Sequence, residues 1–78
     1  MENVLTRITF NQEVLRGKPL IRGLRLSVEM ILELLANGAT DQEILEDYPE
    51  LELADIRAAL RYAHDTIANE RVFDRMTA

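Results

Sequence analysis

The run Gly17-Lys18-Pro19-Leu20-Ile21-Arg22-Gly23-Leu24-Arg25-Leu26-Ser27-Val28 constrains the fold of this chain more than any other stretch. Gly17 and Pro19 punctuate a loop. Beyond them Leu24, Leu26 and Val28 alternate with Arg25 and Ser27, the period-two pattern of a half-buried strand running from Leu20 to Val28. Gly23 interrupts that pattern, which predicts a bulge, a bend or a close backbone approach. Arg7-Ile8-Thr9-Phe10 alternates in the same way, so two short strands are expected to pair within residues 1–27. An isolated hairpin is marginal in water, so helices must cover its apolar side.

Three helices follow from start and stop signals. Ser27 is a natural N-cap. Val28, Ile31, Leu32 and Leu35 then fall on one helical face, and Asn37-Gly38 closes a helix over 28–37. Thr40 opens a second helix, and Glu43 three residues later completes a capping box. Pro49 biases Tyr48 away from α geometry and ends that helix near residue 47. A third helix starts near Leu53 or Ala54 and, with no Gly or Pro after residue 50, runs through Glu70 or further. Its expected core stripe is Ile56, Leu60, Ala63 and Ile67. The expected fold is a mostly α single domain over 1–78, an N-terminal β-hairpin plus a three-helix bundle of helix-turn-helix type, with helices 28–37, 41–47 and 53–70.

Composition narrows the function. A chain of 78 residues, 47% hydrophobic, supports one small core. It has no cysteine and one histidine, His64, so disulfides and thiolate metal sites are excluded. No cofactor is expected. The longest apolar runs are far too short for a membrane span, and nothing resembles a signal peptide, so a cytoplasmic protein is expected. The net charge of −5 argues against broad affinity for phosphates. That charge is uneven: residues 1–27 sum to +3 and residues 28–78 to −8. This asymmetry reads either as surface scatter or as two faces that meet different partners.

Catalysis finds little support. His64, Asp65 and Thr66 are consecutive and point in different directions on a helix. Gly17-Lys18-Pro19 lacks the spacing of a phosphate loop. An enzyme is not expected. The candidate DNA-binding residues are Lys18, Arg22 and Arg25 on the hairpin, with Arg16 beside them, and Arg57 and Arg61 one turn apart on the third helix. The same residues also read as a solvated hairpin face and, for Arg61 with Asp65, as an ordinary i,i+4 ion pair. Candidate protein-interface residues are Ala58, on a small-residue side of the third helix, with Tyr62, Val72 and Phe73 as apolar anchors. Homodimerisation is expected from that helix side and the apolar tail.

Taken together, Ile8-Thr9, the Gly17–Val28 run, Leu35-Ala36-Asn37-Gly38-Ala39-Thr40-Asp41-Gln42-Glu43-Ile44-Leu45-Glu46-Asp47-Tyr48-Pro49 and Ile56-Arg57-Ala58-Ala59-Leu60-Arg61-Tyr62-Ala63 resemble the DUF433 family of small prokaryotic domains. The pieces run in family order over about residues 8–64. Leu24 stands where the family tends to have threonine, and Gln12 where proline is frequent. The resemblance implies a homeodomain-like or winged-helix-like fold. It also implies an antitoxin-like role: neutralising a PIN-like ribonuclease toxin, with promoter DNA as a second ligand. It assigns no catalytic residue. The alternative is a structural protein-interaction module, a homodimer with no nucleic-acid role.

Overall fold

In a computed structural model the backbone is described for residues 3–77 and the side chains for residues 3–69. A 3-10 turn at Val4–Arg7 leads into β1 (Ile8–Thr9), which pairs antiparallel with β2 (Leu20–Ile21). The register sets Ile8 against Ile21 and Thr9 against Leu20. Three helices follow: α1 (Val28–Ala36), α2 (Asp41–Asp47) and α3 (Leu53–Thr77). The expected order of hairpin and three helices is therefore the observed one.

The helix ends follow from the residues that occupy them. The Ser27 hydroxyl accepts the Met30 amide at 3.0 Å and starts α1. At its other end Gly38 has φ +98°, and the Gly38 and Ala39 amides donate to the Leu35 and Leu34 carbonyls. This is a Schellman motif, which glycine enters without steric cost. Thr40 and Glu43 form the expected capping box at α2, with bonds of 3.1 and 2.8 Å. Tyr48, followed by Pro49, ends α2 at Asp47. The Glu52 amide donates to Asp55 Oδ2 at 2.8 Å, so Asp55 satisfies a free donor at the start of α3.

The strand expected over Leu20–Val28 is only two residues long. Arg22 and Gly23 have φ of 46° and 73°, so the chain turns sharply there. The Leu24 amide donates to the Ile21 carbonyl, the Ile21 amide donates to the Leu26 carbonyl, and Ser27 bridges back to Leu20. A tight turn with two consecutive positive φ values matches the right-handed twist of the flanking segments and favours glycine. Gly23 thus makes a second, smaller hairpin rather than a kink in one strand.

The core is a cluster of Ile21, Val28, Ile31, Ile44, Leu51, Ile56 and Ala59, drawn from β2, all three helices and the α2–α3 joint. α3 presents Asp55, Ile56, Ala58 and Ala59 inward. The expected stripe through Leu60 and Ile67 is displaced: these residues are 48% and 63% exposed. The N-terminal turn and α1 both press on α3. Alanines, not leucines, therefore occupy its inward side.

Candidate nucleic-acid and protein interface

The hairpin and the start of α3 are joined by one cluster of charge. Asp55 is fully buried. Arg22 Nε donates to Asp55 Oδ1 at 3.1 Å, and Arg22 Nη2 to Oδ2 at 2.9 Å, a two-pronged pairing. The same Nη2 donates to the Glu50 carbonyl at 2.7 Å. Arg7 Nη1 donates to Asp55 Oδ1 at 2.9 Å and to Glu52 Oε1 at 2.7 Å. Burial pushes the Asp55 carboxyl up, but hydrogen bonds from Arg22, the Glu52 amide and Arg7 outweigh it and hold Asp55 below the usual carboxylate range. The Asp55 hydrogen bond in turn raises Arg22.

The expected DNA-binding cations divide into paired and open ones. Arg22, read as a solvated cation, is a strut between the hairpin and α3, its side chain only 35% exposed. Lys18 Nζ pairs with Glu29 Oε1 at 2.8 Å on the surface. Arg61 pairs with Asp65 at 3.1 Å across one helical turn. Hydrogen bonds from His64 and then Arg61 hold the Asp65 carboxyl low. Arg16, Arg25 and Arg57 are exposed and carry no ion pair among the described residues. Among the described residues they are the cations left open for a phosphate.

The expected protein-facing residues divide as well. Ala58 is fully buried and leaves nothing for a partner to touch. It lies one turn from both Asp55 and Tyr62, on the side of α3 that the N-terminal turn covers. Tyr62 is half-buried, and its ring lies 6.3 Å from that of Phe10 at a tilt of 55°. The side chains of Val72 and Phe73 lie outside the described residues. Reading the sequence missed Arg7 and Asp55, whose pairing spans 48 residues. It also missed exposed Phe10 and the outward face of α3.

Charge is strongly segregated. From Ser27 to Ile56 the chain holds nine acidic residues and no Lys or Arg. Asp55, Glu52 and Glu29 are paired, whereas Glu33, Asp41, Glu43, Glu46, Asp47 and Glu50 have no cationic partner among the described residues. Between α1 and α3 lies an open groove of about 320 Å³, lined by Pro19, Val28, Leu32, Tyr62, Ala63 and Ile67, its one acidic lining residue being Glu29, which Lys18 pairs. No group of three or more metal-ligating side chains occurs among the described residues. Likewise, no described helix is long and apolar enough to cross a membrane.

The family model for DUF433, described as a protein of unknown function, matches residues 8–63. The chain belongs to this family. It is also similar to a solved structure, a DUF433 member protein from Anabaena variabilis, with 31% identity and a TM-score of 0.73. That match covers 90% of this chain and 66% of the other, so the Anabaena protein is the longer of the two. No protein of curated function matches. The match ends at Ala63, so it takes in the hairpin, the Arg7-anchored strand pair from Ile8 onward and the first half of α3, including Asp55.

Proposed function

We propose that this DUF433 domain is a non-catalytic binding module of the antitoxin type. Its principal ligand on this reading is a cationic protein surface, such as the RNA-binding face of a PIN-like ribonuclease. The observation that carries the reading is the thirty-residue stretch without Lys or Arg, six of whose nine carboxylates have no cationic partner among the described residues. A nuclease that grips RNA must present cations, and an acidic face competes for them through complementary potential. The resemblance to antitoxin-like domains points the same way.

DNA is the weaker ligand. Arg22 is consumed by Asp55, and Lys18 and Arg61 are each paired, which leaves, among the described residues, Arg25 and Arg57, with Arg16, to meet phosphates. Promoter recognition on this basis would be modest and steeply salt-dependent. It is a second role, subordinate to the protein contact.

Co-expression with the product of the adjacent reading frame, followed by co-purification, tests the reading. A stable complex in which added RNA and the domain compete for the partner is the expected result. A wild-type domain that never co-purifies with that product would overturn it. In parallel, titration with DNA from the chain's own upstream region should show weak, saturable binding that Arg25→Glu with Arg57→Glu abolishes. Binding that survives this double reversal and is indifferent to salt would remove the DNA role.

A further inference from the structure

Asn37-Gly38, the pair that closes α1, carries a reactivity that its capping role conceals. Of the four asparagines only Asn37 precedes a glycine, whose missing side chain leaves the next amide nitrogen free to approach the asparagine carboxamide. Asn37 is exposed, and its carboxamide has no hydrogen-bond partner among the described residues. No atom stands within 4 Å of where a Cβ on Gly38 would lie, so the space beside this bond is open. Asn3 and Asn11 differ. Their carboxamide oxygens accept the Leu5 and Glu13 amides at 3.0 and 2.9 Å, and Val4 and Gln12 crowd the amides that follow them.

We infer that Asn37 is a site of spontaneous deamidation, which the folded cap of α1 suppresses and local opening of the α1–α2 corner releases. In this reaction the Gly38 nitrogen, having given its proton to solvent, forms a bond to the side-chain carbonyl carbon of Asn37. The carboxamide C–N bond breaks, and its nitrogen leaves as ammonia with a proton from water. Water then opens the cyclic imide at either carbonyl. The product is aspartate or, where the main chain is rerouted through the side chain, isoaspartate. One water is consumed and one ammonia released, with no change of oxidation state.

The cap opposes the first step. Ring closure needs the Asn37 Cβ and the Gly38 nitrogen nearly eclipsed about the Cα–C bond. Asn37 has φ −85° and ψ 4°, so its own nitrogen holds the eclipsed position and its Cβ lies roughly a third of a turn away. Rotating ψ pulls the Gly38 and Ala39 amides off the Leu35 and Leu34 carbonyls, each bonded at 3.0 Å. The attacking nitrogen is therefore the one that the helix end already uses. Helix ends open locally at less cost than the core, so the reaction proceeds from a frayed corner. The product does not close again. Isoaspartate adds a main-chain carbon inside the Schellman ring, and either product sets a carboxylate at the negative end of α1, one turn after Glu33.

The test holds the full chain at neutral pH and physiological temperature, once folded and once unfolded in urea. Mass spectrometry of proteolytic fragments follows the conversion of amide to acid at Asn37, and isoaspartyl methyltransferase labelling counts the isoaspartate. The folded chain should react about tenfold to hundredfold more slowly than the unfolded one, because two hydrogen bonds must open first. Thr40→Ala weakens the neighbouring cap of α2, and with its fold checked by circular dichroism it should speed the folded-state reaction about twofold to fivefold. Asn37→Gln should show no conversion at this position. The reacted chain, separated by ion exchange, should melt below its parent. Equal rates in the folded and unfolded chain overturn the inference, as does a folded-state rate that Thr40→Ala leaves unmoved. So does conversion of Asn3 or Asn11 ahead of Asn37, or a product that melts with the parent.

Discussion

Asp55 is the residue on which the arrangement of this domain turns. A buried carboxylate is costly unless paired and hydrogen-bonded, and Asp55 is both, through Arg7, Arg22 and the Glu52 amide. It ties the N-terminal turn, the second hairpin and the first turn of α3 to one another. It also explains why Arg22 tolerates φ 46°: the strained backbone is held by a side chain fastened at its far end. Removing the charge in Asp55→Asn should lower stability by about 3 kcal/mol, near the lower end for breaking a buried pair, since Arg22 keeps some contact with water. Chemical denaturation at neutral pH measures this. The folded-state pKa of Asp55 lies below its unfolded value, so its contribution is fully present above the unfolded pKa. It is lost as pH falls from the ordinary value of 3.8 through the depressed folded one. The wild type should therefore lose stability steeply below about pH 4, with a shallower loss in Asp55→Asn. Asp65→Asn, at an exposed pair, should leave the denaturation midpoint in place. None of this is legible locally. Arg22 and Arg25 look alike in the sequence, and only a partner 33 positions away separates a strut from a free cation.

At the scale of elements, local chemistry was readable where it is decided locally. Ser27, Gly38 and the Thr40–Glu43 box set helix ends with groups at most five residues apart, and α2 spans the predicted residues. Thr40→Ala should cost about 1 kcal/mol by thermal or urea unfolding. Where tertiary packing decides, the pattern misled. Hydropathy ranks Leu60 and Ile67 above Ala58 and Ala59, so the apolar stripe of α3 was rotated toward the larger side chains. The N-terminal turn and α1 both contact α3, and the fully buried Ala58 and Ala59 lie on its inward side. The strand expected over Leu20–Val28 failed for a related reason, since alternation does not reveal a chain that turns back on itself at Gly23. A paired measurement checks the corrected face. Ile56→Ala should cost about 3 kcal/mol, whereas Leu60→Ala, on the open side, should cost less than about 1 kcal/mol. Equal losses would return Leu60 to the core.

At the scale of the whole molecule, the placement of charge works against the fold's own electrostatics. Glu33 stands in the last turn of α1, and Glu46 and Asp47 in the last turn of α2, with no basic residue in either turn. Helix C-termini carry partial negative charge, so carboxylates there are unfavourable. Further acids nearby add mutual repulsion. On the proposed reading that cost is the usual conflict between a binding face and a stable fold. The triple substitution Glu33→Gln, Glu46→Gln and Asp47→Asn should therefore raise the melting temperature, by about 4 °C at low ionic strength. The same variant should associate with a cationic partner about tenfold more slowly in stopped-flow mixing, with a flatter dependence on salt, because steering by complementary charge is reduced. The two readouts must move in opposite directions. If the variant is less stable than the wild type, the acids serve the fold. If it is more stable yet associates equally fast, the acidic face plays no part in recognition, and the partner must be sought on the side of the chain that carries Arg25 and Arg57.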